Sequence, residues 1–287
     1  AYVGELRAIR SGGVQEIVPG RVENLRALGI ESEECQTQFG FPEVGAEAEY
    51  QSLIQHSKYM SDSCREPLEF KDRVLSIMED IYYPVVWQLP DDFLSYPSFV
   101  KACYKLDFQS SPGIPYVYSY PTIGEWLYRD GIVLNDVRLQ LLWLDVQDLM
   151  AGRFDIYLRL FIKREPHKIK KILSKKWRLI MASPLCVQVL WNMLFHFQND
   201  LEIEQVFDIP SKQGMSLVHG HWKLYYKQWR SKRFNYCMDA EAWDWTMKFW
   251  HLKWDLDFRL RMGRGSCMDE WYNLASLLYD HMFLHPV

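Results

Sequence analysis

The sequence is poor in the patterns that mark a metal or disulfide scaffold. Its six cysteines, Cys35, Cys64, Cys103, Cys186, Cys237 and Cys267, are scattered, with no CxxC spacing. That excludes a disulfide framework and a zinc ribbon and fits free thiols in a reducing compartment. The eight histidines form no ligand array, and His219-Gly220-His221 is the nearest approach to one. No long hydrophobic run is present: the longest, Leu185–Phe197, is broken by Gln188, Asn192 and His196 and is too short and polar to span a bilayer. Neither an internal repeat, nor a low-complexity segment, nor a signal-peptide pattern is visible. The sequence opens on Ala1 and ends in Phe283-Leu284-His285-Pro286-Val287, which leads us to expect a processed product or a fragment.

Positive charge is also short overall, since the net charge of −4 argues against a generic nucleic-acid binder. Its distribution says more. Residues 1–70 carry twelve acidic and six basic side chains, whereas Lys163–Arg178 carries eight basic residues and one acidic. An anionic ligand meets that local field and not the total. With 48% hydrophobic and 15% aromatic residues the chain has ample material for a core, as one large domain or two modest ones. The twelve tryptophans are read mainly as packing residues, with stacking on bases as the alternative.

Residues 1–65, acidic and carrying Gly12-Gly13 and Pro19-Gly20, read as a loosely structured extension. Pro67 opens a predicted helix with Phe70, Val74, Ile77, Met78 and Ile81 at helical spacing, until Pro84 ends it. Residues 110–116, "SSPGIPY", form a turn-rich loop, and Arg153–Ile162 reads as a strand. Ser183-Pro184 starts a long helix from Leu185 to about Phe207. Arg233–Met238 reads as a short strand, and a helix follows from Asp244, burying Trp245, Phe249, Leu252 and Leu256 and stopping by Gly263 and Gly265. Trp222, Tyr225, Tyr226 and Trp229 fall on one helical face among Lys223, Lys227 and Arg230; core packing is the favoured reading, a platform for bases the other.

Three stretches carry chemistry. In "CMDAEAWDWTMKFW" (Cys237–Trp250), Asp239 and Asp244 sit among large apolar side chains. Carboxylates there need a partner or a metal, and one at a strand end can hold Mg²⁺, a hard cation that takes oxygen ligands. The alternatives are a surface turn for Asp239 and a helix N-cap for Asp244. In "FIKREPHKIKKILSKKWRLI" (Phe161–Ile180), apolar ends flank Lys163, Arg164, Lys168, Lys170, Lys171, Lys175, Lys176 and Arg178. That density suits phosphate, and Arg178 can bind bidentately; a solvated or localisation-like basic run is the alternative. The stiff loop 110–116 could touch a nucleic-acid backbone through N–H groups and serines.

Taken in order, these elements resemble the RNA-dependent RNA polymerases of positive-strand RNA viruses, closest to the sobemovirus and barnavirus-like group. "SSPGIPY" is similar to the template-entrance loop called motif G, and "IKREPHK…RLI" to motif F of the fingers. "SKQGMSL" (Ser211–Leu217) looks like the segment ahead of the first palm motif, and "DAEAWDW" (Asp239–Trp245) like motif A. The resemblance implies an α+β fold: a right-hand polymerase fragment with a mostly helical fingers region plus the first strand and helix of the palm. It divides the chain into the acidic extension 1–65, the fingers region 66–232 and the start of the palm 233–287. Asp239 would then be a catalytic ligand of two Mg²⁺ (or Mn²⁺) ions, with the Ala240 carbonyl beside it. Asp244 would sense the ribose 2′-hydroxyl. Lys163, Lys171 and Arg178, with Arg164 and Lys168 as further candidates, would bind the nucleotide triphosphate, while Ser110, Ser111 and Gly113 would guide template. Implied partners are RNA template, primer or product strand, nucleoside triphosphates and other viral replication proteins, in host cytoplasm at membrane-associated sites.

Departures accompany the likeness. Motif A reads Ala-Glu-Ala between its aspartates where the group has Ser-Gly, so Glu241 adds a negative charge. No motif B (Ser-Gly, then Thr and Asn) and no Gly-Asp-Asp of motif C follows Asp244. Ser11-Gly12 lies ahead of motif A, and Asp91-Asp92 after Pro90 reads as a turn or helix start. The chain is therefore expected to lack part of its metal site and to be inactive alone. Its alternatives are a non-catalytic RNA-binding or replication-complex protein, or one chain of a split polymerase. A reverse transcriptase is disfavoured by Asp244 at the ribose-sensing position.

Overall fold

A computed structural model describes residues 38–60, 64–129, 133–232 and 236–283. The extension reading for 1–37, the strand reading for 233–235 and the terminal His285-Pro286-Val287 lie outside the described residues. The chain runs through β1 (Phe39–Gly40), α1 (Ala46–Ser57), α2 (Leu68–Ile81), β2 (Trp87–Gln88) and α3 (Tyr96–Cys103). Then come α4 (Ile123–Leu127), β3 (Tyr128–Arg129), β4 (Val133–Leu134), α5 (Asp136–Met150), β5 (Arg159–Ile162), β6 (His167–Lys168), α6 (Ile169–Leu173) and β7 (Leu179–Ala182). The last stretch holds α7 (Leu185–Glu204), α8 (His221–Lys232), α9 (Trp243–Thr246), α10 (Phe249–Met262), β8 (Gly263–Arg264) and α11 (Met268–Phe283). The described residues are mostly helical, with small two-stranded sheets, β1–β6, β2–β8, β3–β4 and β5–β7.

The described residues fall into two compact units: 38–60, 106–129 and 133–188 in the first, 64–105, 189–232 and 236–283 in the second. In the first, α5 starts where the Asn135 side chain accepts from Arg138 N–H at 3.3 Å, an N-cap. It buries Leu139, Leu142, Val146 and Leu149, spaced along one helical face. Residues 46–57, read from composition as loose, form α1 instead. Ala48 of α1 joins Ile162 and Trp177 in a buried cluster, and Ser52 Oγ donates to the Trp177 carbonyl at 2.8 Å. An acidic surface thus conceals a packed inner face.

In the second unit, α7 buries Val189, Leu190, Met193, Leu194 and Phe195, and Trp271 of α11 donates its indole N–H to the Leu194 carbonyl at 2.8 Å. Trp271 also meets Trp87 edge-on at 5.1 Å. Indole rings as large as these dominate core energetics once their N–H is bonded. The long helix predicted from Leu185 ends at Glu204, three residues early, and that predicted from Pro67 spans Leu68–Ile81.

Helix α2 carries its apolar stripe outward. Its stripe of Phe70, Val74, Ile77 and Ile81 is 37–53% exposed. The helix turns Leu75 and its charges toward α10, where Lys71 pairs with Asp257 at 2.6 Å and Arg261 reaches Asp72 at 2.5 Å and Glu79 at 3.0 Å. The aromatic stripe of α8 is likewise exposed and not core, since no residue of that helix is buried. Arg153–Ile162 is a strand only over Arg159–Ile162. Residues 91–94 form a turn, with Asp91 accepting from the Ser266 hydroxyl.

Candidate functional site

The basic cluster is built as a hairpin. β5 and β7 pair antiparallel with Phe161 opposite Ile180 and Ile162 opposite Leu179, so the flanking apolar residues close its neck. Trp177 and Ile162 are buried there, with Ile172 and Leu179 packed against them. Lys163 N–H donates to the Arg178 carbonyl at 2.9 Å. His167 is buried and locks the turn. Its Nε2 accepts from Arg178 N–H at 3.0 Å and its Nδ1 lies 2.7 Å from the Glu165 carbonyl. Those partners suit the neutral tautomer with hydrogen on Nδ1.

This scaffold sends Arg164, Lys168, Lys170, Lys171, Lys175 and Arg178 into solvent and leaves Lys163 half-buried. Lys168 is fixed through β6, its backbone opposite Phe39 of β1. Lys176 turns aside, its ammonium 4.3 Å from the Tyr59 ring centroid. Glu165, passed over in the sequence reading as the cluster's lone acid, reaches two of the candidates: Oε2 lies 2.9 Å from Lys163 Nζ and Oε1 2.7 Å from Arg178 Nη1. Burial pushes the Glu165 carboxyl up, but hydrogen bonds and charge from Lys163 and Arg178 outweigh it and hold the group below its ordinary range.

The loop at 110–116 belongs to the same unit. Ser111 Oγ accepts from Arg159 Nη1 at 3.0 Å and from Gly113 N–H at 3.3 Å, and its carbonyl accepts from Gln188 Nε2 at 3.1 Å. Arg159 leads directly into the basic hairpin, so Ser111 couples the loop to it. Ser110 is exposed and donates to Asp107 Oδ2 at 2.6 Å. That bond holds the Asp107 carboxyl below its usual range, helped by Gln109 N–H. Gly113 is buried with φ +66°, and a Cβ there would lie 2.2 Å from the Ser183 carbonyl. It shapes the loop and has no outward surface. Tyr116 donates to Asp145 Oδ2 at 2.7 Å beneath it.

In the second unit, residues 236–240 are exposed and irregular, although Arg233–Met238 was expected to be a strand. Tyr236 is 92% and Met238 96% exposed. Among the described residues no segment pairs with them, and an extended segment with no neighbour has no ladder to hold it. Asp239 and Ala240 lie on this stretch, exposed. Ala242, at φ +51°, precedes α9, so Asp244 falls within its first turn and does not cap it. The predicted helix breaks at Met247-Lys248 and resumes as α10, which buries Trp254, Leu256, Phe258 and Met262. Trp245, Phe249 and Leu252, expected in the core, are half-buried; Gly263 ends α10 as predicted. Lys212 of the "SKQGMSL" segment donates to the carbonyls of Val206 and Ile209, at 2.5 and 2.6 Å. Among the described residues no group of three or more His, Cys, Asp or Glu could hold a metal ion.

The chain is 28% identical over 281 residues to "Protein P1-P2" of Turnip yellows virus (isolate FL-1), covering 84% of this chain and 27% of that protein. It is 29% identical over 266 residues to "Replicase polyprotein P2AB" of Southern bean mosaic virus, again 84% and 27%. A solved structure, "Sicinivirus 3Dpol RNA dependent RNA polymerase", superposes with a TM-score of 0.62 at 15% identity, over 82% of this chain and 48% of that one. That likeness shows the fold. The chain thus spans about a quarter of the length of the curated relatives it matches. The family described as "Viral RNA-dependent RNA polymerase" matches residues 76–285, most of the sequence; as the ordered motifs predict, the chain belongs to the viral RNA-dependent RNA polymerase family.

Proposed function

We propose that this chain is the template- and nucleotide-handling part of an RNA-directed RNA polymerase that copies viral genomic RNA. The observation that carries this is the β5–β7 hairpin, whose apolar neck is buried while six cations face solvent. Arg178, Lys171, Lys163, Arg164 and Lys168 would neutralise nucleotide phosphates, where charge-assisted bonds are strongest. Ser110 would meet the template, with Ser111 and Gly113 setting the loop. In this reading residues 66–232 serve as fingers, 233–287 open the palm of an α+β right hand, and 1–65 extend it.

The family generally uses Mg²⁺, with which Asp239 and the Ala240 carbonyl are chemically compatible oxygen donors. The described residues do not complete such a site, because one carboxylate and one carbonyl are too few and among the described residues no cluster of donors gathers around them. Asp239 would be one ligand of the completed site and Asp244 the partner of the ribose 2′-hydroxyl. The same solvent-facing cations of the β5–β7 hairpin also suit a second reading, a non-catalytic RNA-binding replication protein that keeps the fingers surface. Either would act in host cytoplasm with other viral replication proteins at membranes; among the described residues no helix is long and apolar enough to cross one. In the complete polymerase, Asp239→Asn should abolish nucleotide incorporation and leave RNA binding intact. Retained turnover would remove Asp239 from the metal site. A complete protein that binds RNA yet never incorporates nucleotide would establish the second reading.

A further inference from the structure

We propose that α8 is a docking surface for single-stranded RNA, separate from the basic hairpin; this rests on the reading that the protein handles RNA. At about 100° per residue, Trp222, Tyr226 and Trp229 form one stripe along α8, and Lys223, Lys227 and Arg230 form a second beside it. Trp222 is 54%, Tyr226 56% and Trp229 39% exposed. The helix, "HWKLYYKQWRSK", contains no acidic residue. A third side anchors it: Gln228 donates to the Phe207 carbonyl, His221 Nδ1 lies 3.2 Å from the Ser216 carbonyl, and the His221 ring meets Phe207 edge-on at 5.8 Å. Both ligand-facing stripes are thereby left outward.

The stripes are also tied to each other. Lys223 Nζ lies 5.7 Å from the Trp222 ring centroid and the Arg230 guanidinium 6.0 Å from that of Tyr226. Successive rings along the stripe rise by about 6 and 4.5 Å, a spacing on which neighbouring bases can stack while their phosphates reach the adjacent cations. An acidic peptide would satisfy the cations and leave the rings idle. A bilayer surface also accepts an aromatic face flanked by cations, and the vesicle measurement below separates it from RNA. A polyanion with a π-face at every repeat uses both stripes.

The test titrates the 287-residue chain into a short fluorescein-labelled oligouridylate, read by anisotropy and by quenching of tryptophan fluorescence. Trp222→Ala with Tyr226→Ala should weaken binding on the order of tenfold or more, as loss of base stacking does, while Trp222→Phe with Tyr226→Phe keeps it. Lys223→Gln with Lys227→Gln should reduce the slope of log affinity against log salt by about 1.4, at about 0.7 per phosphate contact on a single strand. Wild-type affinity in the alanine pair overturns the proposal, as does equal loss in the phenylalanine pair. So does an alanine pair that binds RNA normally but loses binding to phosphatidylserine vesicles. If Lys171→Gln with Arg178→Gln abolishes RNA binding and the α8 variants do not, the polymerase reading stands and this one falls. Failure of the wild-type chain to bind RNA removes both.

Discussion

Glu165 accepts a hydrogen bond from Arg178 at 2.7 Å, so the arginine best suited to bind phosphate already has a carboxylate partner. An incoming polyanion must compete with Glu165 for Arg178 and for Lys163. Arg178 is 60% exposed on its side chain, so the pair contributes no more than about 1 kcal/mol to stability. Glu165→Gln should leave the melting temperature nearly unchanged and tighten RNA binding. It should also steepen the salt dependence by about 0.7 per cation released. Weaker binding, measured by anisotropy across a salt series, would mean that Glu165 positions the cations for the ligand.

Gly113 is the loop's fixed point. Its φ of +66° and the 2.2 Å approach that a Cβ would make to the Ser183 carbonyl combine two costs, left-handed backbone of about 1–2 kcal/mol and a backbone clash. Gly113→Ala should lower the melting temperature by more than about 4 °C. Ser110→Ala, which removes a bond on the exposed side of the same loop, should leave it within error. Differential scanning calorimetry of the two variants separates these outcomes, and equal melts would show that the Ser183 approach relaxes without cost.

Much of the basic hairpin was legible because local patterns carried it. Phe161, Ile162, Leu179 and Ile180, read as anchors at the two ends of the charged run, pair across the β5–β7 ladder. Helix α2 was legible in extent but not in orientation. Helical spacing identifies an apolar face without saying what covers it, and the ion pairs from Lys71 and Arg261 are invisible to periodicity. The same limit applied to the stripe of α8. Residues 236–238 were misread because a strand is a property of two segments, and only one was in view. Glu165 was missed because a lone acid among eight bases looks incidental until its two oxygens are seen on two different cations.

A half-buried polar group organises the second unit. Arg259 donates to Asp255 at 2.9 Å and to Asn199 at 3.0 Å, and its guanidinium lies over the Phe195 ring at 5.3 Å. Removing it in Arg259→Ala leaves Asp255 and Glu202 without their counter-charge, which costs about 3–5 kcal/mol for a buried pair. Because the Arg259 and Asp255 side chains are 17% and 43% exposed, a loss below that range, about 1–3 kcal/mol, is expected in urea unfolding. Glu202 supplies the pH dependence. Burial raises its carboxyl above the ordinary range, with Asp255 adding to this and Arg259 opposing it. The folded state therefore holds this proton more tightly than the unfolded one. Stability then falls as pH rises from the ordinary glutamate value through the raised one. Glu202→Gln keeps an acceptor for Gln198 and should flatten that decline. An unchanged slope of the urea midpoint against pH would exclude Glu202 as its source.

The cysteines offer a direct check on packing. Cys64 and Cys237 are exposed, whereas Cys103 and Cys186 are buried, with burial pushing both thiols up to about 12. The thiolate is the reactive species. Two thiols whose burial disfavours the thiolate are therefore less reactive near neutral pH than exposed ones, before access is considered. Iodoacetamide treatment of the native chain, followed by peptide mass mapping, should label Cys64 and Cys237 and spare Cys103 and Cys186. Urea should expose all four equally. Cys186 lies beside Tyr116 and Asp145, under the loop that holds Ser111, so its protection reports that loop in particular. Labelling of Cys186 as fast as Cys64, with Cys103 still protected, would show that the 110–116 loop opens while the second unit stays folded.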